Sequence, residues 1–294
     1  MRVLMSGASG LLGVAVSQAL EAHGSQIIRL VRKDARSGEI SWQPGKTLDP
    51  ALVSGFDAVI HLAGESVVGR WTAAKKQRIR DSRVLGTRTL ADAVANAALK
   101  PRVFLAASAI GYYGNRGDEL LSETSPSGTG FLVETCREWE AAAAPVEKAG
   151  VRTLHLRTGV VLSKKGGALG KMLLPFRLGL GGRLGSGQQW MSWIHINDMV
   201  GAMLHLLRND KISGPVNMTA PNPVRNTEFT SVLGKTLARP TIFPVPEFAL
   251  KLAMGEMAEE VLLGSQRVEP RQLEACRYDF EFRDLRLALE NLLS

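Results

Sequence analysis

In the first half of the chain, short apolar runs alternate with longer stretches whose apolar positions recur every three or four residues. The runs Arg2–Ser6, Gln26–Val31, Ala58–Leu62, Val103–Ala107 and Thr153–Leu156 are brief and nearly continuous, as strands buried on both faces require. Helical spacing occupies Leu11–Ala22, Thr72–Ala98 and Leu132–Lys148. Strand and helix in strict alternation predict βαβ units, so the expected fold class is α/β: a doubly wound parallel sheet of Rossmann type, followed by a smaller C-terminal, substrate-side α/β region.

The rhythm breaks after Leu162. Ser163–Gln189 holds eight glycines, at 166, 167, 170, 179, 181, 182, 185 and 187. It reads as one long loop, and loops of that length in compact domains are usually functional, here a lid or substrate-facing segment. A loosely ordered surface loop is the competing reading. Strand-like Trp190–Ile196, a helix over Asp198–Leu207, a strand at Val216–Met218 and a helix over Asn226–Leu237 follow. Pro240, Pro244 and Pro246 then mark the entrance to a small helical module with a strand-like piece at Tyr278–Phe282. The predicted organisation is a cofactor domain over 1–162, with parts of 190–218 returning to it. A substrate-side segment over 163–243 and a C-terminal module over 244–294 complete it.

The most informative junction is the first. Gly7-Ala8-Ser9-Gly10-Leu11-Leu12-Gly13 sits between the first strand and the first helix. A dinucleotide pyrophosphate needs that order: Gly7 for the tight turn, Gly10 for close approach of backbone to phosphate, Gly13 for packing helix on strand. The amides of Ser9, Leu11 and Leu12 then face the anion at the positive end of the helix. The second strand decides which dinucleotide. Sites that prefer NAD carry a carboxylate at its end, whereas here Val31 is followed by Arg32 and Lys33, with Asp34 two residues late. Arg32 can clamp a 2′-phosphate, so the expected cofactor is NADP(H) rather than NAD(H).

Composition narrows the partners. The 294 residues, 45% hydrophobic and 22% charged, describe an ordinary globular chain. The net charge of +8 comes from 36 Lys and Arg spread without a basic block or an aromatic platform, so no nucleic-acid partner is expected. No apolar stretch is long enough to span a bilayer, and neither a membrane partner nor a secretory leader is expected. Cys136 and Cys276, the only cysteines, give neither a disulfide framework nor metal-ligand spacing. A cytoplasmic protein without a metal is the expectation.

Five segments then occur in a familiar order: Gly7–Gly13, Asp57-Ala-Val-Ile-His-Leu-Ala-Gly64, Ser108-Ala-Ile-Gly-Tyr-Tyr-Gly114, Leu156-Arg-Thr-Gly-Val-Val-Leu162 and Ser192-Trp-Ile-His-Ile-Asn-Asp198. The chain resembles the extended short-chain dehydrogenases/reductases. More closely it resembles their atypical "epimerase family protein" branch, which is NAD-dependent epimerase/dehydratase-like. Lys171-Met-Leu-Leu-Pro-Phe-Arg-Leu-Gly-Leu-Gly-Gly182 and a C-terminal domain of unknown function from about Val245 match that branch. The resemblance implies that Leu62, Ala63 and Gly64 flank the adenosine, that Ala107 and Ser108 approach the nicotinamide, and that Arg157 to Val160, including Gly159, border it. Independently, the first two groups are carboxyl ends of strands, where open α/β sheets bind ligands.

The resemblance also exposes a gap. Relatives pair a tyrosine with a lysine four residues on, one helical turn apart, so that the cation lowers the tyrosine pKa. Here Ser108 matches their serine, but Leu132 stands at the tyrosine position and Cys136 at the lysine position, with Glu140 one turn further. Cys136 is never cationic, and its helical spacing with Leu132 and Trp139 reads as a packed face. Arg83, in Arg83-Val-Leu-Gly-Thr87, is a candidate for phosphate or substrate binding near the vacated site, or a surface charge on a basic helix. Tyr112 and Tyr113 are the candidate proton donors beside Ser108. His195 reads as a satisfied histidine at a strand end, and Asp198 as substrate-facing or domain-joining.

Two functions follow as expectations: an NADP(H)-dependent oxidoreductase or epimerase acting on an unknown small substrate, or a non-catalytic NADP(H) sensor that signals through its C-terminal module. Sugar nucleotides are the usual substrates of the extended relatives, yet no base-recognition signature appears here. A protein partner or a homodimer stays open.

Overall fold

A computed structural model describes residues 1–294, the whole chain. The first half alternates as predicted, through β1 (Arg2–Ser6), α1 (Leu11–Ala22), β2 (Gln26–Val31), β3 (Glu39–Ser41), β4 (Ala58–His61), α2 (Ala73–Ala95) and β5 (Val103–Ala109). It continues through β6 (Leu120–Leu121), α3 (Phe131–Ala141), α4 (Ala144–Lys148), β7 (Arg152–Thr158) and β8 (Val160–Leu162). The second half holds α5 (Gly167–Arg177), β9 (Trp190–Met191), β10 (Trp193–His195), α6 (Ile196–Arg208), β11 (Gly214–Met218), β12 (Val224–Arg225) and α7 (Asn226–Thr236). Beyond Pro246 come α8 (Glu247–Met254), β13 (Arg267–Val268), α9 (Arg271–Ala275) and α10 (Leu285–Leu293).

Seven strands form one sheet in the order β11-β7-β5-β4-β1-β2-β3, every neighbouring pair parallel. The doubly wound α/β fold is therefore present, and residues 214–218 close one edge of the sheet. The chain leaves β1 toward β2 on one side and returns to β4 on the other. That reversal opens a crevice at the carboxyl ends of β1 and β4, the switch point where such sheets bind ligands. One face buries Val16 and Leu20 of α1 with Met199, Met203 and Leu206 of α6. The opposite face buries Leu90 and Val94 of α2 with Val146 of α4. A third core, around Trp193, joins α5, α7 and α10.

Four sequence expectations change. The predicted helix over Leu132–Lys148 is two helices, because Pro145 in the first turn of α4 has no amide to continue α3. The segment Ser163–Gln189 is not a single loop: α5 lies inside it and buries Leu169, Leu173 and Phe176, a helical face that its glycines and Pro175 disguise. The strand predicted over Trp190–Ile196 splits at Ser192, whose hydroxyl donates to Gln266 O (2.8 Å), and its halves pair with β12 and β8. Tyr278–Phe282 belongs to no sheet. Asp198 holds it instead, accepting from Glu281 N (2.8 Å), Phe282 N (2.9 Å) and the Tyr278 hydroxyl (3.1 Å). Asp198 thus joins the C-terminal module to α6. No helix is long and apolar enough to cross a membrane.

Candidate active site

A groove of about 1020 Å³ runs along the carboxyl ends of β1, β2 and β4. The glycine-rich turn is its floor, and each glycine has a separate reason. Gly7 has φ +73°, and a β-carbon there would lie 2.7 Å from the Leu62 carbonyl carbon, so the turn presses on the end of β4. A β-carbon on Gly13 would lie 2.1 Å from Gly7 O, so α1 packs directly on the turn. Gly10 donates to Gly7 O (3.0 Å) and, with Ser9, is exposed. No side chain caps α1, which leaves its first amides free for an anion. Leu12 packs into the core beneath, and Leu11 lies under the start of α5, 3.3 Å from where a β-carbon on Gly167 would be.

The far wall of the groove comes from the end of β2, including Arg32 and Lys33, and from Trp42 and Pro44. Arg32 is exposed. The near wall is Leu62, Ala63 and Gly64. Two residues that the sequence reading passed over hold that wall. The Ser6 hydroxyl accepts from Ala63 N (3.4 Å) and shares a hydrogen bond with His61 Nδ1 (2.6 Å). Burial pushes the His61 pKa down to about 4, so the ring is neutral. Neither residue carries a sequence signal, because their pairing joins two strands across 55 positions.

Arg83 closes the crevice from α2. It donates to Glu65 O (2.9 Å) and Ile79 O (3.0 Å), and its guanidinium stands 3.5 Å from where a β-carbon on Gly64 would be. It also faces the Trp139 ring at 5.0 Å. Burial lowers its pKa, and the neighbouring Cys136 and Glu65 favour its charge. A cation therefore stands beside the position that relatives fill with lysine. Cys136 itself is buried, and burial pushes its thiol up to about 12, ahead of the opposing pull of Arg83. Leu132 and Cys136 pack under Gly111, so the predicted packed face of α3 is in place.

Ser108 ends β5 within a polar cluster. Its hydroxyl donates to Glu140 Oε1 (2.7 Å), and Arg157 reaches the same carboxylate through Nε (2.8 Å) and Nη2 (2.9 Å). Arg157 also donates to the Tyr113 hydroxyl (3.1 Å) and to Glu123 O (3.3 Å). It is only 3% exposed, and burial opposes its charge, yet Glu140 holds its pKa above the ordinary value. Its guanidinium points inward, at the Glu140 carboxylate that Ser108 also contacts. Gly159 likewise serves packing, since a β-carbon there would lie 2.6 Å from Ser192 O.

The two tyrosines part company. Tyr113 is fully buried, its hydroxyl donating to Asn217 Oδ1 (2.7 Å), and burial raises its pKa to about 12. As a candidate proton donor it is therefore corrected to a core residue. Tyr112 is partly exposed, with the Arg157 guanidinium 3.5 Å over its ring. His195 is buried against Phe282 and burial lowers its pKa to about 4; its Nδ1 accepts from Asn197 N (3.0 Å) while its buried Nε2 has no partner, so the expected satisfied histidine is only half satisfied. Ala107, next to Ser108, is partly exposed at the end of β5.

The C-terminal module reaches this cluster twice. Glu260 accepts from Phe131 N (2.9 Å) and Leu132 N (2.8 Å), capping the start of α3. Glu123 Oε1 accepts from Asn217 N (3.0 Å) and Gln272 N (3.1 Å), tying the module to the Tyr113–Arg157 network.

Residues 3–218 match the NAD dependent epimerase/dehydratase family, and residues 245–292 match a domain of unknown function, DUF1731. The chain is 43% identical over 290 residues to epimerase family protein Mb2239 of Mycobacterium bovis, covering 98% of this chain and 96% of that one. It is 39% identical over 305 residues to the chloroplastic epimerase family protein SDR39U1 homolog of Arabidopsis thaliana, covering 100% and 87%. Its fold superposes on the crystal structure of human epimerase family protein SDR39U1 with NADPH at a TM-score of 0.92, with 34% identity and 99% of both chains covered.

Proposed function

Since the chain belongs to the NAD-dependent epimerase/dehydratase family, we propose that it is an NADP(H)-dependent oxidoreductase or epimerase whose proton path runs through Ser108 and Glu140. The observation that carries this reading is the Ser108–Glu140 hydrogen bond of 2.7 Å. The groove fits a dinucleotide. The uncapped start of α1 takes the pyrophosphate, Leu62–Gly64 flank the adenosine, and Arg32, directly after β2, meets a 2′-phosphate in a groove that Glu21 and Glu39 also line. The human relative crystallised with NADPH supports that choice. When bound, the nicotinamide supplies or accepts a hydride.

The residues of the chain then handle the proton. With its own hydrogen donated to Glu140, Ser108 presents lone pairs, and it accepts from the hydroxyl of an alcohol substrate. In the oxidising direction the substrate proton passes to Ser108 as the serine proton passes to Glu140. Reduction of a carbonyl runs the same relay backwards. Arg157 fixes the carboxylate by its two-point contact, and Arg83 supplies positive charge beside the vacated lysine position. Tyr112 is the remaining tyrosine within reach of the cluster.

Following NADPH consumption across a panel of carbonyl compounds tests this reading. Turnover is expected in the wild type, falling by about a hundredfold or more in Ser108→Ala and Glu140→Gln with NADPH affinity unchanged. Turnover retained in Glu140→Gln but lost in Tyr112→Phe would assign the acid to the tyrosine and overturn the relay. A second reading, a sensor that signals cofactor occupancy, draws on the Glu260 cap and the Gln272 contact, which join the C-terminal module to the site. Tight NADPH binding with no turnover across the panel favours it.

A further inference from the structure

An unusually apolar surface lies away from the groove, where α5 ends and the C-terminal module begins. Leu174, Leu178 and Leu180 project from the last turn of α5 and the residues after it, each at least 62% exposed. Beside them stand Ile242 and Phe243, and Phe248 and Leu252 follow one turn apart on α8, between 58% and 74% exposed. The backbone makes these segments neighbours. Gly179 lies against Pro240, Gly182 against Phe243 O, and Val245 N donates to Arg183 O (2.8 Å). Contiguous apolar surface of this kind marks an interaction site rather than scattered exposure.

Charge identifies the occupant. From residue 163 to residue 197 the chain has no carboxylate, and none from 229 to 246. The same stretches carry Lys171, Arg177, Arg183, Lys235 and Arg239, all exposed. The one carboxylate on α8, Glu247, pairs with Lys251 at 2.8 Å, and the same lysine also meets Glu259 at 3.1 Å. A second copy of the chain would bring an equally cationic rim against this one, so self-association is opposed. An apolar patch carried on carboxylate-poor stretches with exposed cations matches an anionic lipid surface, where apolar side chains enter the acyl boundary and cations meet headgroups.

We propose that this face docks the protein peripherally on a bilayer rich in anionic lipid. The expectation of no membrane partner rested on the lack of a spanning segment, and surface attachment needs none. The inference is independent of the proton relay, since none of these residues belongs to the groove or to the Ser108 cluster.

Co-sedimentation of the full chain with vesicles tests it, comparing phosphatidylcholine alone with a phosphatidylcholine–phosphatidylglycerol mixture. Binding to the mixture is expected to be about tenfold stronger, and to weaken as salt rises. The triple variant Phe243→Ser/Phe248→Ser/Leu252→Ser loses about tenfold or more of that binding while keeping NADPH affinity. Leu178→Gln/Leu180→Gln, on the other segment, gives the same loss and guards against a local folding defect. No vesicle binding, or binding that both variants retain, overturns the proposal. Self-association of the wild type that the triple variant abolishes, without vesicle binding, assigns the face to a second copy instead.

Discussion

Replacing Arg157 with methionine is expected to destabilise the protein by about 3–5 kcal/mol, the range seen when one partner of a buried ion pair is removed. Arg157 is 3% exposed and makes four hydrogen bonds, two of them to Glu140, whose side chain is 14% exposed. Methionine fills much of the same volume but leaves the Glu140 carboxylate with only the Ser108 hydroxyl and no cation, and removes the donor to the Glu123 carbonyl. The Tyr112 ring also loses the cation stacked on it. The cost is not the worth of the pair itself. Removing both charges, as in Arg157→Met/Glu140→Leu, is expected to recover most of the loss, because no charge is then left buried alone. Urea denaturation of the two variants checks this. A double variant as unstable as the single one would show that the cluster matters for its shape and not for its charges.

Gly13→Ala carries the second large effect. Its β-carbon would sit 2.1 Å from Gly7 O and 2.7 Å from Ala8 Cα, both backbone atoms that no side-chain rotation can move. The turn must shift, so a stability loss of about 1–3 kcal/mol is expected, as for other overpacked sites. NADPH affinity should fall by at least about tenfold with it, because the amides that face the phosphates belong to the displaced turn. Gly10→Ala separates the two consequences. There the nearest contact is 3.3 Å and the residue is exposed, so the fold is expected to persist while the new methyl occupies space the pyrophosphate needs. Thermal unfolding and cofactor fluorescence on both variants read this out. Equal affinity in Gly13→Ala and wild type would contradict the assigned role of the turn.

The fold was legible where the signal is local. Each strand of the first half declares itself by a short apolar run, and the glycine turn declares its ligand by order and spacing. Legibility failed where glycine and proline hide a helix, as in α5, and where a segment is held by distant side chains, as Tyr278–Phe282 is held by Asp198. The site divides the same way. Ser108 was visible at a strand end, but its partner Glu140 lies 32 residues away on a helix, and nothing in the intervening sequence announces the contact. Arg157 is legible as a strand residue near the site, but strand alternation alone does not say that Glu140 will claim its side chain. Tyr112 and Tyr113 are adjacent in sequence, and only the structure shows that one of them is core.

Selection of NADP(H) by the groove is the property on which the proposed function stands. Fluorescence titration of the purified chain with NADPH and NADH, repeated on Arg32→Ala, tests it most directly. Tighter binding of NADPH than of NADH is expected. Arg32→Ala is expected to weaken NADPH by about tenfold, or roughly 1.4 kcal/mol, and to leave NADH unchanged. Equal affinity for both cofactors, or no binding of either, would contradict it.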